Sequence, residues 1–176
     1  MRALVDQTRG GTGFTLIELI VVLVVTAIVA AVALPSLASA STTRRAIGAN
    51  QMVRDLAYAR ERAISTGTRT WVVFSTTTNS YSVLQENPAS PGRVGAIALD
   101  DPANPGRTYV QYFGTGDFVT VSLQSVSIGT GSEVGFDWIG KPYDSTSVAL
   151  TSAGVVTLVG GKTVTIQPIT GLATTP

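Results

Sequence analysis

The feature that most limits what this chain can become is an apolar run near its start. Residues 14–34 read FTLIELIVVLVVTAIVAAVAL, 21 residues with a single charge, Glu18. As an α-helix rising about 1.5 Å per residue, the run would reach roughly 32 Å, the depth of a bilayer's hydrocarbon core. A surface helix of a globular domain would carry a polar stripe, and this run is apolar on every face. It therefore reads as a single-pass membrane segment. Pro35 follows directly and is expected to end or kink the helix, because proline lacks the backbone donor and its ring crowds the preceding turn.

The position of the small residues separates this run from a cleaved secretory signal. Such a signal carries its small-residue cleavage site after the apolar stretch. Here Gly10, Gly11 and Gly13 come before it. A cut at that point leaves the apolar segment in the mature protein. Basic residues do not orient the segment, since Arg2 and Arg9 lie on one side and Arg44 and Arg45 on the other.

The hexapeptide Gly13-Phe14-Thr15-Leu16-Ile17-Glu18 places a glycine, an aromatic residue, three further residues and a glutamate at the mouth of the apolar helix. In this the chain resembles type IV prepilins and the pseudopilins of type II secretion. The resemblance implies a leader peptide, residues 1–13, removed by a prepilin peptidase after Gly13. It implies N-methylation of the new terminus at Phe14 and a role for Glu18 in filament assembly. It further implies a bacterial inner-membrane precursor whose C-terminal domain lies in the periplasm. An inner-membrane assembly platform then moves the subunit into a filament of other pilins or pseudopilins. Physics singles out the same glutamate, because a carboxylate at the bilayer centre costs on the order of 2.5–3.5 kcal/mol. The amine of a neighbouring subunit's Phe14 would neutralise it and fix the stagger between helices. The competing reading is a Glu18 hydrated near the interface.

Beyond Pro35 the period of the pattern changes twice. Met52, Val53, Leu56, Ala59, Ala63 and Ile64 recur at spacings of three and four, with Arg54, Asp55, Arg60, Glu61 and Arg62 between them. This predicts an amphipathic helix over residues 35–66 that stops at Gly67 and has a weak point at Gly48. From residue 67 the period is two. Strands are expected at 70–75 and 80–86, a hairpin joined by the polar residues 76–79, then at 108–113, 118–128, 133–138, 148–151, 155–159 and 163–167. Gly160-Gly161 marks a tight turn between the last two. Residues 87–106, with four prolines, read as a surface excursion with a short strand at 94–99. The pattern predicts an α+β fold class, and the resemblance implies a type IV pilin-like one: a long N-terminal helix on a C-terminal antiparallel sheet or two-sheet domain, residues 67–176.

Two later stretches refine the resemblance. Residues 56–64 (LAYARERAI) leading into the first strand resemble the minor-pilin group containing GspH and FimT. So do Phe136-Asp137-Trp138-Ile139-Gly140-Lys141-Pro142 and the closing residues 164–171 (VTIQPITG). The resemblance implies a minor pseudopilin-type structural subunit of a type II secretion filament. The alternative is a FimT-like minor pilin of a type IV pilus serving assembly or DNA uptake.

Composition argues against catalysis. The chain has no histidine and no cysteine, which removes the commonest general base, the commonest metal ligand and the thiol nucleophile. No catalytic, cofactor or metal site is expected. Asp100 and Asp101 could offer oxygen ligands to calcium, but the segment DDPANPG lacks ligand spacing and reads as a solvated turn. The GTG triplets at 114–116 and 129–131 read as turns, without the lysine or helix of a phosphate loop. Trp71, Tyr81, Tyr109, Tyr112 and Trp138 are scattered through strands and read as core and cross-strand packing. Arg60 is expected to pair locally or lie along the sheet, and Arg62 to be solvated. Net charge is +1, and without residues 1–13 it falls to zero, so little draws the chain to nucleic acid.

Overall fold

The structure, a computed structural model, describes residues 14–176, with the backbone alone for residues 32–40. The expected leader, with Gly13, lies outside the described residues. The chain divides into two compact units between Ser39 and Ala40.

One helix, α1, is continuous over Leu16–Thr66. Of the two expectations at Pro35, an end or a kink, the end is corrected, because the helix passes through it. A proline removes one hydrogen bond, but its fixed φ is helical, and intact turns on both sides carry the element across. In the first unit every residue from 14 to 31 is exposed. Among the described residues no helix is long and apolar enough to cross a membrane. The apolar run of the sequence continues over Val32, Ala33 and Leu34, whose side chains lie outside the described set.

In the second unit the helix buries one stripe completely. Ala49, Met52, Leu56, Ala59 and Ala63 are all 0 % exposed, at alternating spacings of three and four. Gly48, expected as a weak point, sits instead at a close approach: a Cβ there would stand 2.9 Å from a methyl of Val121. Ile64, expected in the core, is 42 % exposed. Helix α1 ends as foreseen, with Gly67 at φ +65° in the left-handed region.

Twelve strands follow: β1 (Thr70–Ser75), β2 (Ser80–Gln85), β3 (Ile97–Ala98), β4 (Asp100–Asp101), β5 (Asn104–Thr108), β6 (Val110–Tyr112), β7 (Leu123–Ser127), β8 (Glu133–Phe136), β9 (Pro142–Tyr143), β10 (Gly154–Leu158), β11 (Thr163–Ile166) and β12 (Ala173–Thr174). One antiparallel sheet has the order β3-β2-β1-β8-β9, with β6 also on β2. The second has the order β12-β11-β10-β7, and β4 pairs with β5 alone. In β1 the alternate residues Thr70, Val72 and Phe74 turn toward α1. Val72 and Phe74 join its core cluster, and the Thr70 hydroxyl donates to the Ala59 carbonyl at 2.8 Å. The second sheet contributes Leu123, Val156, Leu158, Val164 and Ile166 to the same core.

Asn79, in the β1–β2 turn at φ 50°, ties the sheets together. Its Oδ1 accepts the Leu123 N–H at 2.8 Å, and its own carbonyl accepts the Phe113 N–H at 2.8 Å.

Several strand expectations need correction. Residues 118–122 end a short 3-10 turn, Gly116–Phe118, and only β7 is extended. Residues 148–151 form one isolated bridge, Tyr143 to Ala149, rather than a strand. The excursion at 87–106 holds the small β4–β5 ladder, whose turn Asp101 closes by accepting from Ala103 N–H and Asn104 Nδ2. Among the described residues no group of acids is placed to hold a metal ion.

Asp55, read from the sequence as part of the polar face, is 3 % exposed. Its carboxylate accepts from the Tyr81 hydroxyl at 2.5 Å and from Gln51 Nε2 at 2.7 Å. Burial raises its pKa, and these donors oppose the rise. Asp55→Ala leaves the Tyr81 hydroxyl buried without an acceptor, and we expect a loss of about 1–3 kcal/mol in stability. Tyr81→Phe should cost a similar amount. The double variant should cost less than the sum, since both partners are then gone. Urea unfolding of the four proteins in detergent measures this cycle.

Candidate functional site

The expected processing site begins with residues that the first unit leaves open. Phe14 is 76 % exposed, and Glu18 is exposed in the first turn of α1. Thr15 precedes the helix, and its hydroxyl accepts the Glu18 N–H at 3.3 Å. A threonine at the cap and a glutamate three residues on is the pattern that starts a helix cleanly. Helix α1 therefore starts two residues after Phe14, and Glu18 stays in the first turn, on the end where the helix dipole favours a negative charge. Around it Leu16, Ile17, Leu19, Ile20 and Val21 are between 49 and 77 % exposed. Such an apolar surface on all sides demands cover from lipid or from other helices.

The second unit brings together three stretches far apart in sequence. Arg60, on α1, donates its Nε–H to the carbonyls of Thr170 at 2.8 Å and Gly140 at 3.2 Å. Of the two expectations for Arg60, local pairing or lying along the sheet, the first is corrected, because the bonds span 110 and 80 residues. Arg62 is also not merely solvated, since its Nε–H donates to Gln85 Oε1 at 3.2 Å. The turn after β8 passes so close to α1 that only glycine fits at 140. Its φ is +80°, and a Cβ would stand 2.8 Å from Ile64 Cδ1 and 2.9 Å from Arg60 Nε. Asp137 shapes that turn by accepting the N–H groups of Ile139 at 3.0 Å and Lys141 at 2.8 Å. The helix segment 56–64, the 136–142 turn and the closing 164–171 segment thus meet at one arginine. Sequence spacing could not reveal this, because nothing local to Arg60 marks its two acceptors.

The outward face of the first sheet is also built. Trp71 is 2 % exposed and packs edge-on against Tyr143, with ring centroids 6.4 Å apart. Gly135 lies beneath the Tyr143 ring, where a Cβ would meet it at 2.2 Å. Arg93 pairs with Glu133 through both carboxylate oxygens at 3.0 and 3.1 Å, holding the β2–β3 loop to β8. Of the five aromatic residues expected to be packed, Trp71, Tyr81 and Tyr109 are buried, whereas Tyr112 and Trp138 are each 55 % exposed.

The chain belongs to the GspH family. The model for the type II transport protein GspH matches residues 48–154, and that for the prokaryotic N-terminal methylation motif matches residues 9–34. Two structures of the minor pseudopilin EpsH from the Vibrio cholerae type 2 secretion system are similar in fold. One covers 75 % of this chain and 94 % of its own at 15 % identity, with a TM-score of 0.53. The other covers 76 % and 96 % at 14 % identity, with a TM-score of 0.54. The minor pilin FimU of Pseudomonas aeruginosa covers 77 % and 90 % at 14 % identity, with a TM-score of 0.50. At these identities the likeness concerns the fold. No relative among the curated proteins matches. The family is one of structural pilin and pseudopilin subunits, anchored in the inner membrane by the N-terminal helix. Membership implies processing by a prepilin peptidase and assembly with other pilins.

Two outcomes follow for this region. Gly140→Ala should lower stability by about 1–3 kcal/mol, since it combines a positive φ with two close contacts, and thermal unfolding reads the loss. Asp144, 6 % exposed, accepts from the Thr146 hydroxyl and N–H, the Val148 N–H and the Thr130 hydroxyl. Led by the Thr146 hydroxyl, these donors hold its pKa at about 2. A depressed carboxylate contributes stability that is present above its unfolded pKa, about 4, and lost as pH falls toward 2. Asp144→Asn should therefore be less stable than the natural chain at pH 6, and the gap should close by pH 2 in urea titrations.

Proposed function

We propose that this protein is a minor pseudopilin-type structural subunit of a type II secretion filament. The observation that carries the reading is the methylation motif at residues 9–34 lying just ahead of a GspH domain at 48–154 in one chain. The precursor sits in the inner membrane as a single-pass protein with its β-rich domain in the periplasm. Prepilin peptidase cuts after Gly13, and Phe14 becomes the methylated terminus. The exposed apolar residues 14–31 then exchange lipid for the helices of other subunits. Glu18 meets the Phe14 amine of a neighbour there. In a medium with little water an unpaired carboxylate is costly and a paired one is tolerated, so one axial stagger is preferred. No residue of the chain acts as a catalyst. In this reading the protein is the substrate of the peptidase.

The choice of a secretion filament over a DNA-capturing pilus rests on charge. Residues 154–176 hold a single charge, Lys162, and that side chain donates to the backbone oxygen of Pro176. DNA capture would need a cationic surface and would weaken steeply with salt. Binding of duplex DNA to the full chain in detergent at low salt, lost at high salt, would replace this reading with the pilus one.

Mass spectrometry of the protein from its own cells should find a methylated Phe14 at the amino terminus. A terminus at any other residue would overturn the proposal. Glu18→Ala should still be inserted and trimmed. Its share in the filament fraction should fall at least ~tenfold, the factor that about 1.4 kcal/mol represents.

A further inference from the structure

The second sheet ends in a strand that lacks a neighbour. Strand β7 is the free edge of the order β12-β11-β10-β7, and its residues Gln124, Ser125 and Ser127 are exposed. The ladder shows which of its backbone groups lie open. The Leu158 N–H donates to the Lys162 carbonyl and the Leu158 carbonyl accepts from the Gly161 N–H, so Leu158 faces the β11 side of β10. Alternation along the strand then turns Val155 and Thr157 toward their β7 partners, Ser127 and Ser125. Val126, between those two serines, aims its N–H and its C=O at the free edge. To either side the edge is closed. The Leu123 N–H donates to Asn79 Oδ1 at 2.8 Å, and the Ile128 N–H donates to the Gly131 carbonyl at 3.2 Å.

A groove of about 460 Å³ lies at this edge, lined by residues 124–126 of β7 and by residues 74–77 at the end of β1 and in the turn after it. The pairing of β1 with β8 has stopped there, its last bond running from the Phe74 N–H to the Ser132 carbonyl at 3.0 Å. Proteins guard such edges with lysine, proline or a bulge. Strand β7 reads LQSVS, without lysine or proline, and its one guard is the extra residue Gln124 at one end. An open donor and acceptor set in a groove match an extended backbone better than a globular surface. No residue of the lining is charged. A charge brought into it would be desolvated without a partner, so the matching stretch is uncharged.

We propose that this groove receives an extended, uncharged segment of a different pilin-type subunit, which adds to the second sheet as a strand beside β7 and exchanges both hydrogen bonds with Val126. The inference rests on the function proposed above and names a contact that the filament uses. Pairing of β7 with the β7 of a second copy is disfavoured, because each edge is set in a groove that residues 74–77 also line.

The test uses the full chain in its own cells, with p-benzoylphenylalanine replacing Gln124. After irradiation, mass spectrometry identifies the joined peptides. The expected result is an adduct to an uncharged stretch of another pilin-type subunit. Val126→Pro removes the one open donor and leaves the serines that pair with β10, so the yield should fall at least ~tenfold. Val126→Ala trims the side chain that packs on the core but keeps the N–H, and should retain most of the yield. Ser125→Lys puts a charge into the lining at an exposed position and should act like Val126→Pro. It decides the matter if the proline variant has a lower thermal midpoint than Val126→Ala. An adduct to a second copy of this chain, to lipid or to nucleic acid overturns the proposal. So does the absence of an adduct, or a yield that follows the alanine variant as closely as the proline and lysine ones. The same samples are checked for a Phe14 terminus and for recovery with filaments. A trimmed, filament-borne chain without the adduct sinks the strand addition alone, whereas an untrimmed chain sinks the proposed function with it.

Discussion

The hydrogen bond from Tyr81 to the buried carboxylate of Asp55 sets the position of the helix on the sheet. The stripe around it is made largely of alanine, with Ala49, Ala59 and Ala63 beside Met52 and Leu56. Small side chains bring a helix close to a sheet but specify little about where along the sheet it rests. A polar pair inside that contact does specify it, because any slide leaves an acid and a hydroxyl buried without partners. Thr70 adds a second fixed point through the Ala59 carbonyl. With the helix placed, β1 and β8 follow in register, and Gly140 and Gly171 reach Arg60.

The two units present opposite kinds of surface. Residues 14–31 expose apolar side chains along most of their length, whereas the second unit closes a core shared by its helix and both sheets. A chain of this kind separates what associates from what recognises. The apolar rod offers contact without much specificity, and in the function proposed above its one charged group, Glu18, supplies the stagger. The folded part offers shape, with two turns locked by a shared arginine.

Much of this architecture was legible in the amino-acid sequence, and the failures have physical causes. The hairpin of β1 and β2 was visible because both strands are rich in β-formers and their link, residues 76–79, is polar. Gly160-Gly161 gave the β10–β11 turn for the same kind of reason. Periodicity placed Met52, Leu56, Ala59 and Ala63 in the core but misassigned Asp55, since a pattern read by polarity cannot foresee a buried acid whose partner lies 26 residues away. It also overextended residues 118–122, where β-branched residues fold into a turn packed on Gly48. The helix end expected at Pro35 failed for a related reason: a propensity weighs one residue, and a long helix weighs the turns around it. At the candidate site, Phe14 and Glu18 stood out because their spacing is local. Arg60 and Tyr143 did not, because each acquires its meaning from contacts across the fold.

Arg60 has one further consequence. Its guanidinium is fastened to the carbonyl of Gly140 in the β8–β9 turn of the first sheet and to that of Thr170 in the β11–β12 turn of the second. A tug along α1 within this unit therefore reaches both sheets at once, in parallel rather than in series. The load is shared, and neither sheet has to peel away before the other resists.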